Sequence, residues 1–177
     1  MAIQDKISKA IDYFSRNEIS DALEQSMIAA DATAKKIYKI RNNKERMEKF
    51  FQEKMIIITG IGLQMLVSNN LSLGFGDGSE SESFETILYK YIRCSLLHES
   101  DVAPNVSFSP NTLSCVGGQF IFPNTLPLGI CFAVISSSEN KTLWMRNPKF
   151  INFKGKPINL NQFWGSSPEL VGNVVLG

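Results

Sequence analysis

Apolar residues in the first hundred positions recur at helical spacing, and punctuation divides them into segments. Ile3, Ile7, Ala10, Ile11 and Phe14 form one stripe, closed by Ser15, Arg16 and Asn17, which predicts a first helix. Ala22, Leu23, Met27, Ala30, Ala34, Ile37 and Tyr38 predict a longer second helix from about Ile19 to Ile40, broken at Arg41, Asn42 and Asn43. A third helix is expected from about Lys44 to Ser68, charged at first and apolar on all sides from Met55, so its second half should be buried. Gly60 and Gly62 would let another helix come close. Residues 68 to 83 read as a loop. Ser83 followed by Glu85 then predicts the N-cap and acidic first turn of a fourth helix, Phe84 to about Glu99.

Beyond Asp101 the pattern changes. Asn, Ser, Pro and Gly become frequent, and the β-prone pieces around Gly117 and Gly118 predict a small hairpin or extended excursion. The run "NTLPLGICFAVISSS" is apolar enough for a buried fifth helix, and its β-branched residues leave a strand reading open. "FINFKGKPINLNQFWG" predicts a short hairpin that turns at Lys154, Gly155 and Lys156. The expected fold is therefore mainly α, a bundle of about four to five helices with a small β-hairpin appendage in the C-terminal part. The 177 residues fit a single domain, with 1–100 as the bundle core and 101–177 as a mixed extension packed on it.

Composition narrows the class only slightly. With 44% hydrophobic and 20% charged residues and a formal net charge of +1, the chain reads as an ordinary globular protein, so a nucleic-acid partner must be argued from local charge. Cys94, Cys115 and Cys131 lack CxxC spacing and suggest neither a disulfide framework nor a zinc ribbon. The N-terminus does not read as a secretory signal, and the run 55–67 is shorter than the roughly 20 residues of a membrane span. A cytoplasmic protein without a membrane partner is the expectation.

The chemistry centres on "ILYKYIRCSLLHESD", residues 87–101, which holds the one histidine, His98, five positions after Arg93. At about 100° per residue the two lie about 140° apart around a helix, so spacing alone does not put them on one face. Brought together, a guanidinium holding phosphate oxygens and an imidazole moving protons would suffice for metal-free RNA cleavage, with the 2′-hydroxyl as internal nucleophile. The plain alternative is a helix-terminal histidine favoured by the helix dipole, beside an arginine paired to an acid. Asp31 lies in the apolar stretch "AADATAKK", where an unpaired carboxylate would be costly, so it should have a partner, in a core-edge salt bridge, a hydrogen bond to a helix end, or a functional cleft; Arg93 is the first candidate to test.

Residues 35–54 hold eight of the 18 basic residues, among them Lys35, Lys36, Lys39 and Arg41. Such a run is either a solvated helical hairpin or a surface for an RNA backbone. "GFGDG" (74–78) invites a phosphate-loop reading, but Asp77, Glu80, Glu82 and Glu85 would repel a phosphate and no P-loop lysine follows. Cys94 and His98 share an i, i+4 spacing, yet two ligands do not make a zinc site, so neither metal nor other cofactor is expected. Trp144, Phe150, Phe153, Phe163 and Trp164 read as packing for the C-terminal hairpin, as a stacking platform for bases, or as a dimer contact.

Together, "IRCSLLHE" at the end of an apolar helix and "MIAADATAKKIYK" (27–39) resemble the HEPN superfamily of nucleotide-binding helical domains. The resemblance covers roughly residues 1–135 in helix order. It implies a helical bundle, often homodimeric, with an Arg-x4-6-His motif at or near the dimer interface. It further implies a metal-independent endoribonuclease of the toxin, defence or stress type, with Arg93 contacting phosphate, His98 transferring protons, Asp31 in or beside the cleft, and an antitoxin as a further partner. The alternative is a noncatalytic RNA- or nucleotide-binding or protein-interaction domain. Two positions depart from the active pattern. Cys94 stands where active members carry a polar residue, and His98-Glu99-Ser100 replaces a His-x-Tyr extension.

Overall fold

The computed structural model describes residues 2–74, 81–99, 101–153 and 155–175. Helices α1 (Ile3–Ser15) and α2 (Ile19–Ile37) are joined by three residues and pack along each other, burying Ile3, Ile7, Ala10 and Ile11 against the apolar side of α2. Asn17, at φ +60°, makes the turn between them. The second helix stops at Ile37, short of Ile40, and Asn42 caps the next one by accepting a hydrogen bond from Glu45 N at 3.1 Å.

The third helical region is not one helix. It divides at Lys54 into α3 (Asn43–Glu53) and α4 (Met55–Ile57), and α4 runs into a π-helical segment, Ile58–Leu63. That segment closes at Gln64, in the left-handed conformation with φ +56°, so the helix ends before Ser68. After the two-residue strands β1 (Ser72–Leu73) and β2 (Glu82–Ser83), the fourth helix occupies the expected span. It comprises α5 (Phe84–Ile87), a π-helical segment Leu88–Cys94, and α6 (Ser95–Glu99), with the Ser83 hydroxyl accepting from Thr86 N as the N-cap.

The expectation of a mainly α bundle with one β appendage is corrected here. The molecule is mixed α/β, with 55% helix and 14% strand, and its strands form three small sheets. The antiparallel pair β1–β2 brackets residues 75–80, so most of "GFGDG", with Asp77 and Glu80, lies outside the described residues. The second sheet has the order β3-β5-β4, from β3 (Val106–Ser109), β4 (Ser114–Val116) and β5 (Gln119–Pro123). Gly117 and Gly118, at φ +56° and +77°, make the two-residue β4–β5 turn, a geometry that needs positive φ at both positions. Strand β5 also pairs in parallel with β3, placing Phe120 opposite Val106 and Phe122 opposite Phe108. The third sheet is the expected hairpin, β6 (Phe150–Phe153) and β7 (Lys156–Asn159); Lys154 lies outside the described residues.

Of the two readings open for residues 124–138, the structure has the helix: α7 (Leu126–Ile135) is buried along its whole length. A helix apolar on every side belongs at the centre of a fold, and α7 packs against α2, α1 and the π-helical segment Ile58–Leu63. Helix α8 (Pro168–Val175) closes the chain and buries Val171. Among the described residues no helix is long and apolar enough to cross a membrane.

Between α7 and β6 the chain has little regular structure and is held by buried amides. Asn161 Oδ1 accepts from Met145 N and from Trp164 Nε1, both at 3.0 Å, and Asn161 Nδ2 donates to Met145 O at 2.9 Å. Asn161→Ala would orphan three buried polar groups, and we expect it to cost about 2 kcal/mol in chemical denaturation. A loss below about 0.5 kcal/mol would show that water replaces the amide without penalty.

Candidate functional site

Asp31 projects from the second half of α2 into the space between α3 and the second π-helical segment, where two arginines meet it. Arg46 Nη2 lies 3.1 Å from Asp31 Oδ1, and Arg93 Nη2 lies 3.5 Å from Asp31 Oδ2. Lys35, one turn along α2, reaches Asp31 Oδ2 at 2.9 Å from the solvent side. The side chains of Arg46, Arg93 and Asp31 are 8%, 12% and 15% exposed, so the two guanidiniums and the carboxylate are shielded from water while Lys35 is not.

Each member is placed by its element. Arg46 sits one turn before Phe50 on the buried face of α3 and cannot turn away without exposing that face. Arg46 Nη1 donates to Ile40 O at 2.9 Å, and Nη2 also donates to Asn43 Oδ1, which binds the α2–α3 connection to the cluster. Arg93 stands near the end of the π-helical segment, its guanidinium 5.4 Å from the centre of the Tyr89 ring. The Tyr89 hydroxyl lies beside Asn43 and Cys94. π-Helical turns are rare and concentrate at functional sites, because the extra residue re-aims the side chains that follow.

The electrostatics follow from the shielding. Burial alone would raise the Asp31 pKa, but hydrogen bonds from Lys35 and Arg46 and the charges of Lys35 and Arg93 outweigh it and hold the carboxyl below its ordinary value. For Tyr89, burial and the neighbouring Cys94 raise the phenol pKa, and the Arg93 charge and the Asn43 hydrogen bond only partly oppose them. Two guanidiniums thus share one shielded carboxylate. Among the described residues Arg46 Nε and Arg93 Nε, both buried, have no hydrogen-bond acceptor.

The sequence-predicted residues divide into two groups. Asp31 meets Arg93, the first candidate for its partner, and Lys35 joins them. The others stand apart from that pairing. Lys36 Nζ donates to Asn140 Oδ1 at 3.2 Å, Lys39 and Arg41 are exposed on the connection between α2 and α3, and His98 is exposed in α6, beyond the turn that holds Arg93. Among the described residues no group of three or more His, Cys, Asp or Glu side chains is placed to hold a metal ion.

Arg46, Asn43 and Tyr89 do not stand out in the sequence. Arg46 lies within a basic run, and its place four residues before Phe50, on the stripe with Met47 and Phe51, is the one signal that this cation faces inward.

Residues 2–175 match the model of the Rv1289 family. The chain belongs to the Rv1289 family. No curated protein and no solved structure matches it. Membership in the Rv1289 family names no chemistry, so the reading that follows rests on the geometry of the Asp31–Arg46–Arg93 centre.

Proposed function

We propose that this Rv1289-family protein binds RNA through its phosphates at the Asp31–Arg46–Arg93 centre, as a binding domain rather than a nuclease. The observation that carries the reading is the imbalance of the cluster: two shielded guanidiniums on one carboxylate, each with a buried Nε–H that lacks an acceptor among the described residues. A phosphate offers the acceptors such a cluster is short of, and guanidinium matches it with two parallel hydrogen bonds. Exposed Lys39, Arg41 and Lys44 lie on and beside the α2–α3 connection and would draw a polyanion toward the centre. All these residues come from one chain, so the proposal requires neither a second copy nor an antitoxin.

Binding is preferred to cleavage because of how the resembled motif is disposed. Proton transfer needs an imidazole within hydrogen-bond reach of the ester that the arginine holds, whereas His98 is exposed in α6, beyond the turn that holds Arg93. The test is fluorescence anisotropy of a labelled single-stranded RNA at about 50 and 200 mM salt, with cleavage followed in EDTA. Wild type should bind and leave the RNA intact. Lys39→Ala with Arg41→Ala should weaken binding several-fold and flatten the slope of log affinity against log salt by about 0.7 for each phosphate that is no longer neutralised. Arg93→Lys, which keeps the charge but loses the fork, should weaken it about tenfold while the helical circular dichroism is unchanged. Absence of binding at the lower salt would sink the proposal. Cleavage in EDTA that His98→Ala abolishes would replace it with the ribonuclease reading.

A further inference from the structure

A polar cavity of about 520 Å3 lies between the first turns of α1 and the segment that follows α7, and no residue of the arginine centre lines it. Gln4, Asp5 and Ser8 line one side, and Trp144, Arg146 and Asn147 line the other. Trp144 leaves 60% of its surface in water, although its neighbour Met145 is buried and pinned through both backbone groups by Asn161. The indole is therefore a flat apolar face on a fixed backbone. Asp5 and Arg146, opposite in charge and lining one space, form no ion pair with each other or with any other described residue.

These groups ask for a particular ligand. The Trp144 ring suits a planar heterocycle, and stacking is the commonest way single-stranded bases are held. The Asp5 carboxylate accepts only, so the edge it meets must present donors, and two adjacent ones would use both oxygens. Guanine has them in N1–H and the N2 amino group, whereas adenine presents the N1 lone pair at the same edge and would be repelled. Arg146 donates only, which suits guanine O6 and N7 or an attached phosphate. Gln4 and Asn147 can serve either kind of group.

We propose that the Trp144–Asp5–Arg146 cavity is a guanine-binding site, with the base stacked on Trp144 and its N1/N2 edge read by Asp5. It goes beyond the phosphate centre and depends on none of its residues. Cavities of roughly 300–1,000 Å3 are the usual size for ligands of this kind.

Trp144 is also the reporter, because the chain's other tryptophan, Trp164, is buried and hydrogen-bonded to Asn161. Titrating the full-length protein with GMP should give saturable quenching of the exposed tryptophan's emission, at a concentration at least about tenfold lower than for AMP, the discrimination expected of one bidentate base contact. Asp5→Asn should erase the preference for GMP, and Trp144→Phe should remove the saturable signal while leaving Trp164 emission in place. Arg93→Lys should leave the GMP response unchanged, which keeps this result separate from RNA binding at the arginine centre. No saturable quenching by about 1 mM GMP, where even a millimolar site would be half filled, overturns the proposal. So does an equal response to AMP, or a GMP response that is lost in Arg93→Lys.

Discussion

Asp31→Ala should lower the stability of the protein by about 3–5 kcal/mol, because it leaves Arg46 and Arg93 shielded from water and facing each other without their carboxylate. For a chain of this length that corresponds to a fall in Tm of about 10 °C. Asp31→Asn should lose most of the same stability, since it keeps the shape and removes only the charge. Lys35→Ala should lose little, because Lys35 is 58% exposed and its pair with Asp31 is solvated. The pH dependence has a definite sign. The folded Asp31 carboxyl titrates below its ordinary value of 3.8, so its contribution is complete above that value and disappears as pH falls through the lower, folded one. Denaturant unfolding of wild type and Asp31→Asn at pH 7 and at pH 3 measures this directly, and the gap between the two proteins should narrow at pH 3. A gap that stays constant would mean that ionisation of the carboxyl is not what separates the two proteins.

The same residue shows how far the sequence can be read. Asp31 in an apolar stretch signals a partner, because an unpaired buried carboxylate is too costly to keep; the structure supplies Arg93, the first candidate, at 3.5 Å, and Arg46, to which the stretch does not point, closer at 3.1 Å. Arg46 carries the same signal in reverse but stands among so many surface lysines that its inward spacing is hidden. The π-helical segments at Ile58–Leu63 and Leu88–Cys94 are illegible for a different reason. Ile58–Leu63 is buried on every side, so its hydrophobic pattern has no phase, and in Leu88–Cys94 only Leu88 and Ile92 are buried, too few to tell one winding from another. Local β structure is readable from Gly117–Gly118 and from Gly155, which turn hairpins. The parallel pairing of β3 with β5 is not, because it joins strands separated by β4 and is fixed by tertiary packing of Phe120 and Phe122.

Gly129→Ala should be strongly destabilising, although it adds only one methyl. Glycine runs against helix propensity, and an alanine in α7 would by that measure add about 1 kcal/mol of stability. Space decides the other way. A Cβ at Gly129 would lie 2.5 Å from Ile58 O and 2.9 Å from both Gly62 Cα and Gly62 N. All three are backbone atoms of the neighbouring helical segment, so no rotamer change relieves the clash, and α7 must move off the segment that it buries. That separation breaks close packing along an interface between two wholly buried elements and stretches the 2.9 Å hydrogen bond from Thr125 Oγ1 to Gly62 O. We expect a net loss of about 3 kcal/mol or more. Gly62→Ala makes the control, since its Cβ would meet Leu126 Cα at 3.2 Å and Leu126 O at 3.3 Å, distances that a few tenths of an ångström of adjustment can relieve. It should cost about 1 kcal/mol or less after the propensity gain. If denaturant midpoints place Gly62→Ala below Gly129→Ala, or show Gly129→Ala unchanged from wild type, the two helices do not cross backbone to backbone and the centre of the fold is built differently.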